Sequence, residues 1–242
     1  MDAVVITHLH ADHEGGLSAL RGLVSVGQVC LPAGARAKPS KTLSEADALV
    51  GDERVGELQA GGELKVGDIA LDVVSPEDSS VDPATNEASI VMLARCGEES
   101  VLLTGDAESS ILDRIVSQGR VGRVGVLKVG HHGSAISLDR IVLQSMAPQA
   151  AVISVGAGNR FRHPRPEPLS LLSAAAVPVL RTDLDGDVTL ELGAKAIRLS
   201  GARSHKTAGP GQKRACGEPV WRRRAPLCET GGHPFRSVRG VP

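Results

Sequence analysis

Most histidines in this chain directly follow short segments that are predicted to be β-strands. Six of the eight histidines fall in three groups: His8, His10 and His13; His131 and His132; and His163. The preceding apolar runs, at 4–6, 124–129 and 150–155, are typical of buried strands. Loops at strand ends carry function when a rigid scaffold positions them. We therefore expect a fold that brings these strand ends to one cleft.

The remaining pattern predicts a mixed α/β fold, with sheets covered by helices. Apolar residues at helical spacing predict helices at 17–24, 43–50, 111–116, 136–145 and 166–175. Gly67-Asp68 and Gly97-Glu98 lie between apolar runs and predict two β-hairpins. The other predicted strands are at 29–31, 64–66, 69–74, 89–94, 101–104, 177–181 and 188–192.

The chain is almost free of aromatic residues, which limits both its core and its ligands. It has two Phe, one Trp and no Tyr, and Phe161 is the only aromatic residue among the first 200. We therefore expect a core of Val, Leu, Ile and Ala. The scarcity disfavours a platform on which single-stranded nucleic acid stacks its bases. It does not exclude an enzyme that acts on the phosphate.

Charge divides the chain into two parts. Residues 201–242 carry nine basic and two acidic residues, a net charge of +7, whereas residues 1–200 carry −8. The basic part also has seven Gly and five Pro, with no apolar period. We expect one domain at 1–200 and a disordered tail at 201–242. Such a tail can contact nucleic acid, but we favour a passive extension.

Cysteines and hydropathy give few further signals. The four cysteines do not stand at a metal-binding spacing. No apolar stretch reaches the ~18 residues that a membrane span needs. The N-terminal sequence lacks the basic region and cleavage site of a signal peptide. We expect a soluble, cytoplasmic chain.

Residues 7–13 combine three histidines and an aspartate in one short segment, Thr-His-Leu-His-Ala-Asp-His. In an extended loop, alternate side chains of this segment lie on one side. Imidazole nitrogens together with a carboxylate suit an ion such as Zn²⁺ or Mn²⁺. The segment therefore predicts a metal site.

Two later strands also end in residues that can bind a metal. Asp106 follows the apolar strand at 101–104, although an aspartate here can instead cap the following helix. The pair His131-His132 follows the strand at 124–129. Lys128, on the flank of that strand, could stabilise a leaving oxygen, but we expect a solvated charge.

With these motifs the chain resembles the metallo-β-lactamase superfamily, whose hallmark is HxHxDH between a strand and a helix. The resemblance implies an αββα sandwich with two divalent metal ions, Zn or Mn. His8 and His10 would bind one ion, Asp12 and His13 would bind the other, and Asp106 would bridge both.

The resemblance also implies residues that meet the substrate. One of His131 and His132 completes the metal sphere; we assign His131 as the ligand, an order that the sequence itself leaves open. The implied catalytic set is Asp12, Asp106, His132, Asn159 and His163. For Asn159 and His163, a glycine-rich turn with a surface histidine is an equally good interpretation.

Four ordered motifs, HLHADH, TGDAE, KVGHHGS and SVGAGNRFRHP, narrow the resemblance to one branch. Residues 2–195 are similar to the C-terminal hydrolase domain of ComEC-type competence proteins, the DNA-uptake channels of transformable bacteria. This similarity implies a phosphodiesterase or nuclease that degrades the DNA strand that is not imported. It also implies a membrane-anchored channel domain as partner in the full-length relatives.

Two departures from the family pattern qualify this hypothesis. The superfamily has a further histidine before the bridging Asp, but none occurs between His13 and His131, where Asn86 and Ser89 stand instead. One ion is therefore expected to have fewer ligands or oxygen ligands. The family domain also begins with strands before HxHxDH, so we expect an N-terminally truncated domain.

Two other functions remain open. The chain could hydrolyse a lactone, a thioester or a small phosphoester, as other members of the superfamily do. It could also be an inactive remnant, because missing strands would expose a sheet edge.

Overall fold

The computed structural model describes residues 1–37 and 39–203, which form two facing sheets. The first sheet is parallel and contains β1 (Ala3–Val5), β2 (Gln28–Pro32) and β3 (Val55–Leu58). The second has the strand order β10-β9-β8-β7-β6-β5-β4. Its strands are β4 (Glu63–Val66), β5 (Ile69–Ser75), β6 (Val91–Cys96), β7 (Glu99–Leu103), β8 (Val126–Lys128), β9 (Ala150–Ile153) and β10 (Val179–Arg181). A hairpin of β11 (Val188–Gly193) and β12 (Ala196–Gly201) forms a separate two-stranded sheet that packs against the second sheet.

Six helices are present in the described residues, and the longer ones pack on the outer faces of the sheets. They are α1 (Ala11–Glu14), α2 (Lys41–Val50), α3 (Ser109–Ser117), α4 (Arg140–Met146), α5 (Pro166–Ala174) and α6 (Thr182–Asp185). Local sequence determines where the longer helices begin. Ser40 and Asp139 cap α2 and α4 by accepting hydrogen bonds from backbone amides, and Pro166 opens α5.

Alternation along the strands sorts the core into layers. On β7, Leu102 packs with Leu112 and Ile115 of α3, whereas its neighbour Val101 packs with Ile197 of the β11–β12 hairpin. Residues of β2 to β6 fill the space between the two sheets: Cys30, Leu58, Leu64, Val73 and Met92. Burying each such aliphatic side chain contributes roughly 1.5–3 kcal/mol. The αββα sandwich and the aliphatic core are therefore confirmed.

Both predicted hairpins, β4–β5 and β6–β7, are present. The helix predicted at 17–24 is wrong: only a 3₁₀ turn at Ser18–Leu20 forms, and Gly22 follows it with φ +77°. Strands β3 and β12 were not predicted. In β3, Gly56 and Glu57 are exposed and only the two end residues are buried, so the strand is defined by its pairing with β2.

No helix in the described part of the chain is long and apolar enough to cross a membrane. The predicted disordered tail lies, from residue 204 onward, outside the described residues. The absence of initial strands of the domain stays a prediction.

Candidate metal centre

The HLHADH segment was predicted to be one extended loop, but in the structure its second half is helical. His10 is extended, with φ −96° and ψ 147°, but α1 begins at the next residue. Asp12 and His13 therefore project from a helical turn, while His8, at a bend, and His10 project from the segment before it. The change of backbone conformation separates the motif into two groups of ligands.

The first group, called the four-residue group, contains Asp12, His13, Asp106 and His132, whose ligand atoms all lie within 4.8 Å of one another. The Asp106 Oδ2 atom lies 3.2 Å from His13 Nε2 and 3.5 Å from His132 Nε2. The exposed Asp12 carboxylate lies 3.3 Å from His132 Nε2. Two nitrogens and two carboxylates converge from α1, from the end of β7 and from the end of β8.

The other ring nitrogens in this group are already engaged. His132 Nδ1 donates to the Ser154 carbonyl at 2.9 Å, which leaves a lone pair on Nε2. His13 Nδ1 lies 3.2 Å from the Thr7 hydroxyl. Both Nε2 atoms and Asp106 Oδ1 are buried without a hydrogen-bond partner. Because buried polar atoms normally have partners, these atoms fit a divalent cation well.

The second group, called the histidine pair, is His8 and His10. His8 Nε2 lies 2.9 Å from His10 Nδ1, and His10 Nε2 donates to the Ala84 carbonyl at 2.9 Å. Burial, together with the nearby His13, lowers the pKa of His8 to about 4. His8 is thus neutral near pH 7 and has a lone pair for a metal.

Asp106 is held by residues from three directions. Its backbone amide donates to the Ser89 hydroxyl at 3.1 Å. Gly105 has a φ of +53°, which favours glycine, and a Cβ there would make a tight contact of 3.1 Å with the Thr7 Cβ. Burial would raise the pKa of Asp106, but the neighbouring His13, His132 and Lys128 hold it well below its usual range.

The interpretation of Lys128 as a solvated charge is wrong. Its ammonium group donates to the Gly105 carbonyl at 2.7 Å, directly beside Asp106. Burial lowers the pKa of Lys128, and the attraction of Asp106 opposes this effect. The burial of Lys128 follows from its position on β8, where it lies on the same side of the strand as buried Val126.

The structure places His131 and His132 in the opposite order to our assignment. His132 belongs to the four-residue group, whereas His131 Nδ1 lies 3.2 Å from Glu108 Oε1 and 3.2 Å from Asn86 Nδ2. Both histidines have positive φ angles, 46° and 52°, so the tight turn points them apart. Glu108, in the TGDAE motif, was not recognised as a partner of His131.

Asn159 and His163 lie in the loop after β9. The Asn159 side chain bonds the Gly156 and His163 carbonyls and the His163 amide, so it holds the loop. The His163 ring lies 5.7 Å from the His131 ring, and its Nδ1 is buried without a partner. His163 therefore reaches the centre beside His131.

Comparison with known proteins assigns the family. The sequence profile of the Metallo-beta-lactamase superfamily matches residues 1–157, so the chain belongs to this superfamily. The family implies a metal-dependent hydrolase, and the centre described above is the corresponding candidate site.

Three relatives with known names are similar to this chain. ComE operon protein 3 of Bacillus subtilis is 33% identical over 78% of the chain. Recombination protein 2 of Haemophilus influenzae is 26% identical over 84%, and competence protein ComA of Neisseria gonorrhoeae is 28% identical over 85%. The chain spans only 24–27% of the length of these relatives.

A solved structure of a mutant CmlA beta-hydroxylase shares the fold. It superposes with a TM-score of 0.54 at 19% identity, covering 75% of this chain and 43% of that protein. At this identity the likeness concerns the fold alone.

Proposed function

We propose that this chain is a metal-dependent phosphodiesterase that cleaves DNA, acting as the hydrolase domain of a competence-type DNA-uptake protein. The names of two relatives, ComE operon protein 3 and competence protein ComA, support the biological setting. The superfamily supports hydrolysis. The membrane-channel domain of the full-length relatives would be its partner.

One observation carries the proposal. His13 Nε2, His132 Nε2 and Asp106 Oδ1 are buried and unpartnered, and they belong to the same four-residue group. A purely structural cluster would leave three polar atoms unsatisfied at a cost of about 1–3 kcal/mol each. A divalent cation removes that cost.

The ligands divide between two ions, Zn²⁺ or Mn²⁺. The four-residue group would hold one ion, and the histidine pair with Asp106 would hold the other. When bound, such ions lower the pKa of water and neutralise charge that develops on a phosphate. With fewer protein ligands, the histidine pair is the weaker of the two sites.

The protein's own residues supply proton transfer and orientation. Glu108 accepts a hydrogen bond from His131 Nδ1, which fixes the imidazole and leaves Nε2 free to exchange a proton with the leaving oxygen. His163, next to it, is kept neutral because burial and the nearby His131 lower its pKa. No separate protein nucleophile is needed, and Ser134 is buried without a hydrogen-bond partner on its hydroxyl.

The proposal is tested with the purified chain, reconstituted with Mn²⁺ or Zn²⁺. We expect at least one ion per chain and hydrolysis of bis(p-nitrophenyl) phosphate and of single-stranded DNA. Asp106→Ala should lose both the metal and the activity, whereas the matched control Asp113→Ala, exposed on α3, should keep both.

Other results would identify the alternatives. Hydrolysis of a lactone or a thioester without hydrolysis of either phosphodiester would indicate another hydrolase of the superfamily. Less than one ion per chain and no turnover would indicate a non-catalytic remnant. Unchanged activity in Asp106→Ala would contradict the proposed centre itself.

A further inference from the structure

The loop that follows β9, residues 156–165, carries an exposed aromatic ring beside the metal centre. Phe161 is 59% exposed, in a chain that has no other aromatic residue among its first 200. A single exposed apolar side chain needs no special explanation. This ring, however, has two specific neighbours, His163 and Arg160.

The Phe161 ring lies within a stack of planar groups. The His163 ring is nearly parallel to it, at 14° with 5.9 Å between the ring centroids. The Arg160 guanidinium carbon lies 4.7 Å from the Phe161 centroid. Arg160 is itself exposed, so a planar ligand can replace it on the ring or stack on the guanidinium.

The loop has a defined conformation. Asn159 makes three hydrogen bonds within it, two of them to His163. The Arg162 amide donates to the Asn159 carbonyl, and Arg162 has a φ of +59°, a conformation that costs energy in a residue other than glycine. The Arg165 amide donates to the Gly133 carbonyl at 2.8 Å, next to the His131-His132 pair. The ring is thus presented by a preorganised loop.

The loop contacts His131 and His132, which follow β8. Ser154, just before the loop, holds the metal-facing His132 through its carbonyl. His163, near its end, lies 5.7 Å from His131. A polynucleotide with one phosphate in the candidate metal centre would therefore have its flanking segment near Phe161.

The charge of the loop favours a polyanion. Its sequence, GAGNRFRHPR, contains three arginines and no acidic residue, although residues 1–200 carry −8 overall. Arg160 and Arg162 are exposed. Arginines directly before and after the aromatic residue in sequence match the alternation of phosphate and base in a nucleic-acid strand.

We propose that residues 156–165 bind the strand that flanks the cleaved phosphodiester, with an unpaired base stacked on Phe161 and phosphates bound by Arg160 and Arg162. The substrate class is single-stranded polynucleotide, since bases in a duplex are already stacked and cannot reach the ring. This proposal rests on the phosphodiesterase function proposed above. A single aromatic residue beside the site is enough to stack one base, although the scarcity of aromatic residues disfavours an extended stacking platform.

The experiment compares a large and a small substrate in the metal-loaded chain. For Phe161→Ala, we expect the KM for oligothymidylate to rise by about 10-fold or more, as loss of one base stack predicts. Turnover of bis(p-nitrophenyl) phosphate and metal content should stay within about twofold, because neither needs a stacked base. Phe161→Trp should restore the KM for oligothymidylate. The control Ile141→Ala removes a 65% exposed apolar side chain from α4 and should change nothing.

The arginines give an independent readout. Arg160→Ala and Arg162→Ala should each weaken oligothymidylate binding and reduce its dependence on salt concentration by about one phosphate contact. Unchanged salt dependence in both variants would overturn the assignment of phosphate binding to this loop.

Failure of this proposal is distinguishable from failure of the proposed function. If the wild-type chain cleaves both substrates and Phe161→Ala lowers both equally, or neither, the loop proposal is wrong and the function stands. If the wild-type chain cleaves neither, the phosphodiesterase function fails. Fluorescence anisotropy with labelled oligothymidylate then still tests the loop: binding that is lost in Phe161→Ala and kept in Phe161→Trp supports it, and equal binding overturns it.

Discussion

Each half of the metal centre takes two residues from the HLHADH motif, but the halves are built differently. The four-residue group gathers two nitrogens and two carboxylates from three separate elements. The histidine pair presents two nitrogens, 2.9 Å apart, from one short segment before α1. A position that gathers ligands from several elements depends on the complete fold, whereas the pair depends mainly on local backbone. We therefore expect unequal affinities and unequal sensitivity to mutation.

The largest contrast is expected between the adjacent His131 and His132. His132→Ala should lower phosphodiester turnover by about 1,000-fold and reduce bound metal, since it removes a ligand of the four-residue group. His131→Ala should lower turnover by about 100-fold with metal retained, since it removes only proton transfer. Metal analysis by mass spectrometry and turnover of bis(p-nitrophenyl) phosphate measure both effects. Loss of metal in His131→Ala alone would reverse the assignment.

A metal titration compares the two halves directly. Calorimetry of the metal-free chain with Mn²⁺ should resolve two classes of site, whose Kd values differ by at least about tenfold, or ~1.4 kcal/mol. His8→Ala should remove the weaker class and His13→Ala the tighter one. If either variant removes both classes together, the two halves are a single cooperative unit.

Acid should destabilise the metal-free chain through the histidine pair. The pKa of His8 is about 4 in the folded protein and about 6.5 in an unfolded chain. Between pH 6.5 and pH 4 the unfolded state binds more protons than the folded state. The contribution of neutral His8 to the stability of the fold is therefore complete above pH 6.5 and is lost as the pH falls towards 4. The loss amounts to about 3 kcal/mol.

Urea unfolding of the metal-free chain at several pH values measures this loss. His8→Asn should lack it, so the difference between the wild type and the variant isolates this one group. A difference that does not change with pH would show that His8 is not desolvated in the folded state.

The smallest effect concerns the support of Asp106. Ser89→Ala should lower the free energy of unfolding by about 1–2 kcal/mol, because the Asp106 amide loses its acceptor. The matched control is Ser75→Ala: Ser75 is equally buried, but its hydroxyl has no hydrogen-bond partner. Its replacement should change the stability by less than about 0.5 kcal/mol. Equal losses in both variants would show that the Ser89 contact is not special.

Local sequence was sufficient for much of the fold. The glycine turns of the two hairpins, the Pro166 start of α5 and the buried β-branched runs all predicted elements that form. The helix predicted at 17–24 failed because the backbone becomes extended at Arg21 and Gly22 follows with φ +77°. Strand β3 could not be predicted because its two middle residues are exposed and only its pairing with β2 defines it.

For the centre, residue types were predictable but their grouping was not. HxHxDH, Asp106 and the His131-His132 pair were all found from the sequence. Backbone angles in one tight turn decide whether His131 or His132 faces the candidate metal site. The Ser154 carbonyl also contributes, because it accepts a hydrogen bond from His132, the histidine that faces the site. The role of Lys128 was missed because burial of a charge depends on what packs above the strand.

The sequence by itself determined the superfamily, the chemistry of the ligands and the aliphatic core, because these depend on residue types and short spacings. The tertiary structure decided which side chains lie together in the candidate metal site, which of their atoms lack partners and that Phe161 stacks on His163 near that site. Those properties depend on distances of a few ångströms between residues far apart in the chain, and packing sets such distances. Local sequence does not encode them.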